Sequence, residues 1–364
     1  MAESRVAQLT GVHAVSALGR GADAQLTGVL AGAAAFAPVR RFDTAARRVT
    51  VAATLPDVGT LADELAAAID AACAAAGLDR PRRAECALLL AVHGGPVASV
   101  LAGQLADHCG LGGRTRVYTS ACVSASTAVA DAAALIGRGD LDRVVVAAGY
   151  LVEPDQFALF DAGRALADDG AVRPFSAGRR GLLLGDGVAA VVLESRAVSR
   201  RSGVDPLATV VGWGRAGDAF HPCQPDPSGT GLAHAVSSAL RWAGLPPQAV
   251  GYVNANATGT AQSDAAEAAA LHRALGGHAA RVPVSSTKSV HGHALEASGL
   301  LELVVTAYAL RHGELPVNAG WLAPDEACPV TVVTDASRRS TATHALTLNA
   351  AFGGANTALL VGIP

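Results

Sequence analysis

Aromatic residues are scarce in this chain, at 4% of 364 positions. Its core must therefore be packed from Ala, Val and Leu, and such small side chains let helices and sheets approach closely, as layered α/β folds require. Charge of one sign is not concentrated anywhere: the formal net charge is −3, with no basic block or stripe. Nucleic-acid binding needs clustered Lys and Arg to displace counterions, so no nucleic-acid partner is expected. The arginine pairs Arg40-Arg41, Arg82-Arg83 and Arg179-Arg180 are read as solvated surface, with a docking patch for an acidic carrier protein as the sharper alternative. C-x-x-C pairs are missing among the six cysteines (Cys73, Cys86, Cys109, Cys122, Cys223 and Cys328), and a chain of this size needs no disulfide staples. A reducing, cytoplasmic setting is expected. No uninterrupted apolar run reaches membrane-spanning length, because the helix at 300–310 carries Glu302 and lies between His293 and His312. The opening MAESRVAQLTG lacks the apolar core of a signal peptide. The expectation is a soluble protein with no membrane partner.

What the chain does have is alternation. At 51% hydrophobic with 40 glycines, it can bury one large core or two of ordinary size. Strands are expected at 116–118, 143–147, 188–193, 208–212, 250–253, 282–285, 345–348 and 357–361. Ala-rich helices are expected at 61–76, 122–137, 232–243, 264–275 and 294–311. This order implies an α/β protein whose sheets are covered by helices. A strand, a tight turn and a small-residue helix occur around Cys122 and again around Lys288 to His293. The layout suggests two similar halves, 1–200 with the candidate nucleophile and 201–364 with the Asn, Lys and His, joined by a connector at 195–205.

Four segments hold the chemistry. In VYTSACVSASTAVADAAALIGRG, Cys122 follows an extended stretch and sits at the first turn of a helix, where free N–H groups and the positive helix end favour a thiolate. The bland alternative is a small buried apolar residue, a common fate of a free Cys. In VNANATGTAQSDAAEAAAL, a strand delivers Asn256 to a polar turn, and a helix starts near Asp264. In VPVSSTKSVHGHALEASGLLE, Lys288 and His293 stand at a strand–helix junction with Glu302 farther along. Its His-x-His pair lacks further ligands at a usable spacing, so no metal is expected. LNAAFGGAN is a Gly-rich loop near the end of the chain, suited either to a close ligand or to a plain turn.

Taken in order, LTGVHAVSALG, RFD, SACVSAS, RPFSAGRRGLLLGDG, GDAFHPCQPDPSG, NANATGTAQSDAAEA, SSTKSVHGHALEASG and NAAFGGAN resemble the β-ketoacyl synthases of fatty-acid and polyketide synthesis. The resemblance covers nearly the whole chain. It implies a thiolase-like fold, two similar halves in alternating helix and sheet layers (αβαβα), as a homodimer or a heterodimer with another ketosynthase-like subunit. It implies that Cys122 accepts an acyl group from the phosphopantetheine thioester of an acyl carrier protein. The backbone N–H groups of Cys122 and Phe352 would form an oxyanion hole, and Phe352 would gate the nucleophile. His293 would donate to the malonyl thioester carbonyl, Lys288 would polarise that region, and Glu302 would support it. Asp264 and Glu267 match supporting acids, and Thr258 and Thr260 match threonines that bind the pantetheine arm. No cofactor is held; phosphopantetheine is supplied by the carrier. No phosphate-loop or dinucleotide fingerprint is present.

Three departures accompany the resemblance. The pattern N-A-H-G-T-G-T reads Asn254-Ala255-Asn256-Ala257-Thr258-Gly259-Thr260, so an amide that can donate but cannot exchange protons replaces a histidine. The chain is several tens of residues short, with losses between Asp57 and Leu61 and just after Gly94-Gly95-Pro96. Ala350-Ala351 stands where relatives have Phe-Gly. The leading expectation is a ketosynthase performing decarboxylative Claisen condensation. The alternatives are a non-elongating acyltransferase using the same acyl-Cys and a partner subunit resembling a chain-length factor.

Overall fold

The computed structural model describes residues 6–335 and 339–364. Ten strands carry the architecture: β1 (Ala7–Ser16), β2 (Ala87–Ala91), β3 (Thr115–Tyr118), β4 (Arg143–Tyr150), β5 (Gly187–Ser195), β6 (Ala208–Gly217), β7 (Tyr252–Asn254), β8 (Pro283–Ser285), β9 (His344–Ala351) and β10 (Ala355–Gly362). The first five lie in the order β3-β2-β4-β5-β1, and the second five in the order β8-β7-β9-β10-β6. Each set has the same senses: the first three strands run parallel, the fourth runs antiparallel to the third, and the fifth antiparallel to the fourth. One five-stranded topology has been used twice. The two sheets join edge to edge where Ala7–Leu9 pairs antiparallel with Ala208–Val210.

Six helices form the layers: α1 (Leu61–Ala75), α2 (Pro96–Cys109), α3 (Ser124–Arg138), α4 (Thr230–Ala243), α5 (Ala261–Leu275) and α6 (Ser298–His312). α1 and α2 cover the outside of the first sheet and α4 that of the second, with α5 packed beside α4 and its Ala268 and Leu271 in one apolar cluster with Val253 and Val284 of the second sheet. α3 and α6 lie between the sheets and touch strands of both. That position explains why α6 is apolar all round, with Leu300, Leu301, Leu303, Val304 and Val305 buried together. Small residues set the layer spacing. At Gly11 in β1 a Cβ would run into the carbonyl oxygen of Ala72 in α1, and at Gly212 in β6 into that of Ala239 in α4. Both outer helices therefore lie directly on glycine backbone.

Most expected elements are present with ends shifted by a few residues, which is ordinary fraying. Among elements of five or more residues, β1, β2, α2 and the helices Ala22–Ala31, Pro154–Ala162 and Arg196–Ser202 have no counterpart among the expected ones. β2 is a continuous apolar run, ALLLA, buried on both faces, so it shows no alternation to detect. The helix expected from Cys122 starts two residues later, at Ser124. Cys122 itself occupies a 3₁₀ turn, Ala121–Val123. The connector at 195–205 contains a short helix, Arg196–Ser202.

The arginine pairs correct their expected role as solvated surface. Arg41 grips the fully buried Asp186 through two bonds of 3.0 and 2.6 Å, and Arg179 reaches Asp325 at 2.6 Å while only 5% exposed. Arg83 pairs with Asp70. One arginine of each doublet is thus a structural fastener, which charge patterning alone cannot reveal.

Candidate active site

The nucleophile turn is built by an unusual backbone. Ala121 has φ +51°, a left-handed conformation that costs a non-glycine residue roughly 1–2 kcal/mol. Leu295 repeats the feature with φ +40° as the first residue of another 3₁₀ turn, Leu295–Ala297, which leads into α6 as Ala121–Val123 leads into α3. Ser124 Oγ closes the first turn by donating to Ala121 O at 2.7 Å. The turn leaves Cys122 8% exposed, beside a cavity of about 430 Å³.

His293 faces Cys122 from the other half. Its backbone N–H donates to Leu183 O at 2.8 Å, and its Nε2 lies 3.1 Å from Cys122 Sγ. Nδ1 meets Ser298 Oγ at 2.9 Å, while the same Oγ accepts the Ala294 N–H at 3.0 Å. This arrangement accommodates the tautomer in which the Ser298 hydroxyl donates to Nδ1 and the ring proton sits on Nε2, facing the sulfur. Burial holds His293 well below its ordinary pKa, and Lys288 and His291 push the same way, so the ring is neutral.

The expected resting thiolate is not found. Burial pushes the Cys122 thiol up to about 12, and the charge of Glu296 adds to it. Lys288 and a backbone N–H oppose this, and Glu302 raises it further. Desolvation outweighs the helix end because the sulfur is enclosed in a mostly apolar wall. Cys122 is therefore a thiol at rest, and losing its proton is part of the chemistry.

Of the residues singled out in the sequence, Cys122, Asn256, Thr258, Thr260, His293 and Phe352 line the one cavity. Asn256 follows β7 and is 3% exposed. Its backbone N–H donates to Glu267 Oε1 at 2.8 Å, and its side-chain Oδ1 has no partner. Its side-chain oxygen is thus not spent on neighbouring backbone. Thr258 and Thr260 hydroxyls lie 3.2 Å apart. Phe352, 53% exposed, stacks on Phe160 with ring centres 5.9 Å apart, forming one side of the mouth.

Lys288, Glu302, Asp264 and Glu267 do not line that cavity; they sit behind its wall. Lys288 Nζ and Glu302 form an ion pair at 2.6 Å, both fully enclosed. The other oxygen of Glu302 accepts from Asn349 Nδ2 at 2.7 Å, Asn349 Oδ1 accepts from Ser126 at 2.9 Å, and Ser126 accepts from Thr357 at 2.8 Å. This network ties α6, β9, α3 and β10 together behind the nucleophile. Asp264 accepts the backbone N–H groups of Phe175, Thr258 and Gly259 at 2.9, 3.1 and 3.2 Å, and so shapes the turn that presents the two threonines. Burial pushes Asp264 up to about 7 and Glu267 up to about 8.

His291, the other half of the His-x-His pair, points away: Nδ1 bonds Gly292 O at 2.8 Å and Nε2 bonds Thr287 Oγ1 at 3.0 Å. Ser298, Asn349 and Phe160 are site residues that sequence reasoning does not single out. Ser298 and Asn349 act through other side chains, and Phe160 comes from a separate helix, Pro154–Ala162, that sequence spacing does not link to the site.

The profile described as Beta-ketoacyl synthase, N-terminal domain, matches residues 78–198, and the one described as Beta-ketoacyl synthase, C-terminal domain, matches residues 207–321. The chain belongs to the β-ketoacyl synthase family. It is 32% identical to a 3-oxoacyl-[acyl-carrier-protein] synthase 2 of Coxiella burnetii over 73% of this chain and 66% of that protein. It is 36% identical to the tetracenomycin polyketide synthase ketoacyl synthase alpha subunit of Streptomyces glaucescens, over 74% of this chain and 64% of that protein. The match thus spans just under two thirds of these relatives' length. Among solved structures, the ishigamide ketosynthase/chain length factor superposes with a TM-score of 0.93 at 26% identity, covering 99% of this chain and all of that one. The thiolase-like architecture expected from the sequence is the architecture observed. No helix among the described residues is long and apolar enough to cross a membrane.

Proposed function

We propose that this protein is a ketosynthase-type acyltransferase that loads an acyl group on Cys122 and condenses it with a malonyl-type extender. The observation that carries the reading is the convergence of Cys122, His293 and Asn256 on one cavity, with the Asn256 side-chain oxygen held by no protein group. In the first step Cys122 Sγ attacks the thioester carbonyl of an acyl carrier protein, and the C–S bond to pantetheine breaks. The Cys122 proton leaves with the departing pantetheine sulfur, so no net charge is buried. In the second step a malonyl thioester loses CO₂. The enolate oxygen is held by two donors, His293 Nε2–H and Asn256 Nδ2–H. The enolate carbon then attacks the acyl carbonyl, and Cys122 leaves as thiolate, taking up a proton afterwards. Thr258 and Thr260 would bind the pantetheine arm and Phe352 would open to admit it. The working unit would be a cytoplasmic homodimer, or a heterodimer with a second ketosynthase-like subunit, made of the two halves 1–200 and 201–364. It would hold no cofactor of its own.

A second reading is supported by the same residue. Asn256 cannot trade protons near neutral pH, so an enzyme that only transfers the acyl group from Cys122 to another acceptor would lose nothing by having it. A role like a chain-length factor, suggested by the ishigamide ketosynthase/chain length factor likeness, is less compatible with an intact Cys122–His293 pair. Intact-protein mass spectrometry with a panel of acyl-carrier thioesters tests all three. Acylation followed by extension only with malonyl-carrier supports condensation. Acylation without decarboxylation makes it a transferase, and no acylation makes it a partner subunit.

A further inference from the structure

A small chamber lies next to the active-site cavity at Asn256. Its volume is about 20 Å³, and its walls include Asp218, Asn256, Ser263, Glu267 and Asn356. Pro225, Asn256, Ser263 and Ala350 line both spaces, so the chamber shares a wall with the cavity that holds Cys122. One water needs roughly 10–15 Å³ and two to four polar partners. Two polar atoms in these residues have no partner: Asn256 Oδ1 and Glu267 Oε2 are both buried and unpaired. The other Glu267 oxygen is engaged, accepting the Asn256 backbone N–H at 2.8 Å. Unpaired buried acceptors are costly, and two of them on bonded neighbours beside a water-sized space share one remedy.

We propose that a single water occupies this chamber and links Glu267 Oε2 to Asn256 Oδ1, making Glu267 a positioning residue that turns the Asn256 amide N–H toward Cys122 and His293. The inference rests on the reading that Asn256 works beside Cys122. An amide can sit either way round, and only a donor at Oδ1 fixes which end faces the substrate. Asn256 Oδ1 can only accept, so one water proton goes to it. The Glu267 carboxyl either donates to the water when protonated or accepts its second proton when ionised, so the bridge holds in both states. Glu267 thus grips Asn256 twice, directly at the backbone and through the water at the side chain. The Asp264 carboxyl bonds the next turn, at Thr258 and Gly259, so the two acids of α5 divide the wall between them.

A crystal structure of the full chain is the first test. A water within hydrogen-bond reach of both Asn256 Oδ1 and Glu267 Oε2 is expected, and a dry chamber would overturn the proposal. The second test compares acylation of Cys122 by an acyl-carrier thioester with decarboxylation of malonyl-carrier, since only the second uses Asn256. Glu267→Ala should slow decarboxylation at least about tenfold more than acylation, the rate equivalent of one misplaced donor. Glu267→Gln, which can still bond the Asn256 N–H and the water, should recover most of that difference. If both activities fall together in Glu267→Ala, and Glu267→Gln recovers neither selectively, Glu267 is only structural and the proposal fails. If the wild-type chain takes no acyl group, the functional reading fails instead, and the crystallographic result decides the chamber by itself.

Discussion

Cys122 Sγ and His293 Nε2 lie 3.1 Å apart although 171 positions separate them in the chain. The contact exists because two copies of one strand–turn–helix unit face each other across the middle layer. Each copy uses a left-handed residue, Ala121 or Leu295, to aim its 3₁₀ turn and the helix beyond it. Burial between the copies has a measurable consequence. Cys122, held up at about 12, should react with iodoacetamide slowly at neutral pH, and its rate should climb with pH beyond about 10. Glu296 is the largest charge raising that thiol, so Glu296→Gln should speed the labelling of the Cys122 peptide severalfold at any fixed pH below that range. A rate that levels off below about pH 8 would show a resting thiolate and contradict the buried-thiol picture.

The turn that carries Thr258 and Thr260 hangs on Asp264. Removing its carboxyl strands three backbone N–H groups, those of Phe175, Thr258 and Gly259. Asp264→Ala should therefore lower stability by at least about 2–3 kcal/mol in urea unfolding, whereas Asp264→Asn, which keeps an acceptor, should lower it less.

Both acids of α5 bind their protons more tightly in the folded chain than in the unfolded one, with values raised to about 7 for Asp264 and about 8 for Glu267. The folded state therefore holds more protons over this range, and linkage sets the sign. The contribution of these two groups to stability is greatest below their unfolded values and is lost as pH rises through about 7 and 8. Unfolding midpoints should fall between pH 5 and pH 9, and Glu267→Gln should flatten part of that fall. A midpoint that rises across the same interval would mean these carboxyls are ionised in the fold.

How much of the site is legible in the sequence depends on the kind of signal. Cys122, Asn256, Thr258, Thr260, His293 and Phe352 each sit beside a turn written in small residues, and all six line the cavity. Lys288 and Glu302 are visible as residues, but their pairing is not. It requires the short helix Lys288–His291 to lie against α6, a matter of packing and not of spacing. The thiol's protonation state differs from the expected thiolate because a helix end is a local feature, while the desolvation that outweighs it comes from several chain segments at once. The twofold strand order needs the pairings themselves, since β2 is an unpatterned apolar run and β7 and β8 have three residues each.

The Lys288–Glu302 pair is wholly enclosed, so its parts are not independent. Glu302→Ala leaves a buried ammonium without a counter-charge and frees Asn349 Nδ2 from its acceptor. A loss of about 3–5 kcal/mol in chemical denaturation is expected. The double change Lys288→Met with Glu302→Leu should lose distinctly less than Glu302→Ala does by itself, because the cost of an unpaired buried charge disappears. Its activity should nevertheless stay low, because the Lys288 charge, which after burial is the largest influence on His293, disappears with it. Stability recovered without activity would separate the electrostatic role of the pair from its structural one; equal losses in single and double variants would show that the pair is not coupled.

Asn256 is where the two enzymatic readings part. Its amide lines the same cavity as Cys122 and His293 and has no bond to its own Oδ1. If it is the second donor to an enolate, Asn256→Ala should reduce malonyl decarboxylation by about 10²–10³-fold, the usual effect of losing one donor at a developing charge. Acylation of Cys122 should change by no more than a few fold, because the attack of the thiol on the thioester carbonyl makes no use of Asn256. Asn256→Asp should be as damaging as Asn256→Ala, since a carboxylate aimed at an enolate offers no donor and adds repulsion. A transferase that never forms an enolate would behave differently: it would show no decarboxylation to lose, and Asn256→Ala would act on acyl transfer alone. The ratio of the two rates in one variant therefore discriminates between the readings more sharply than either rate by itself.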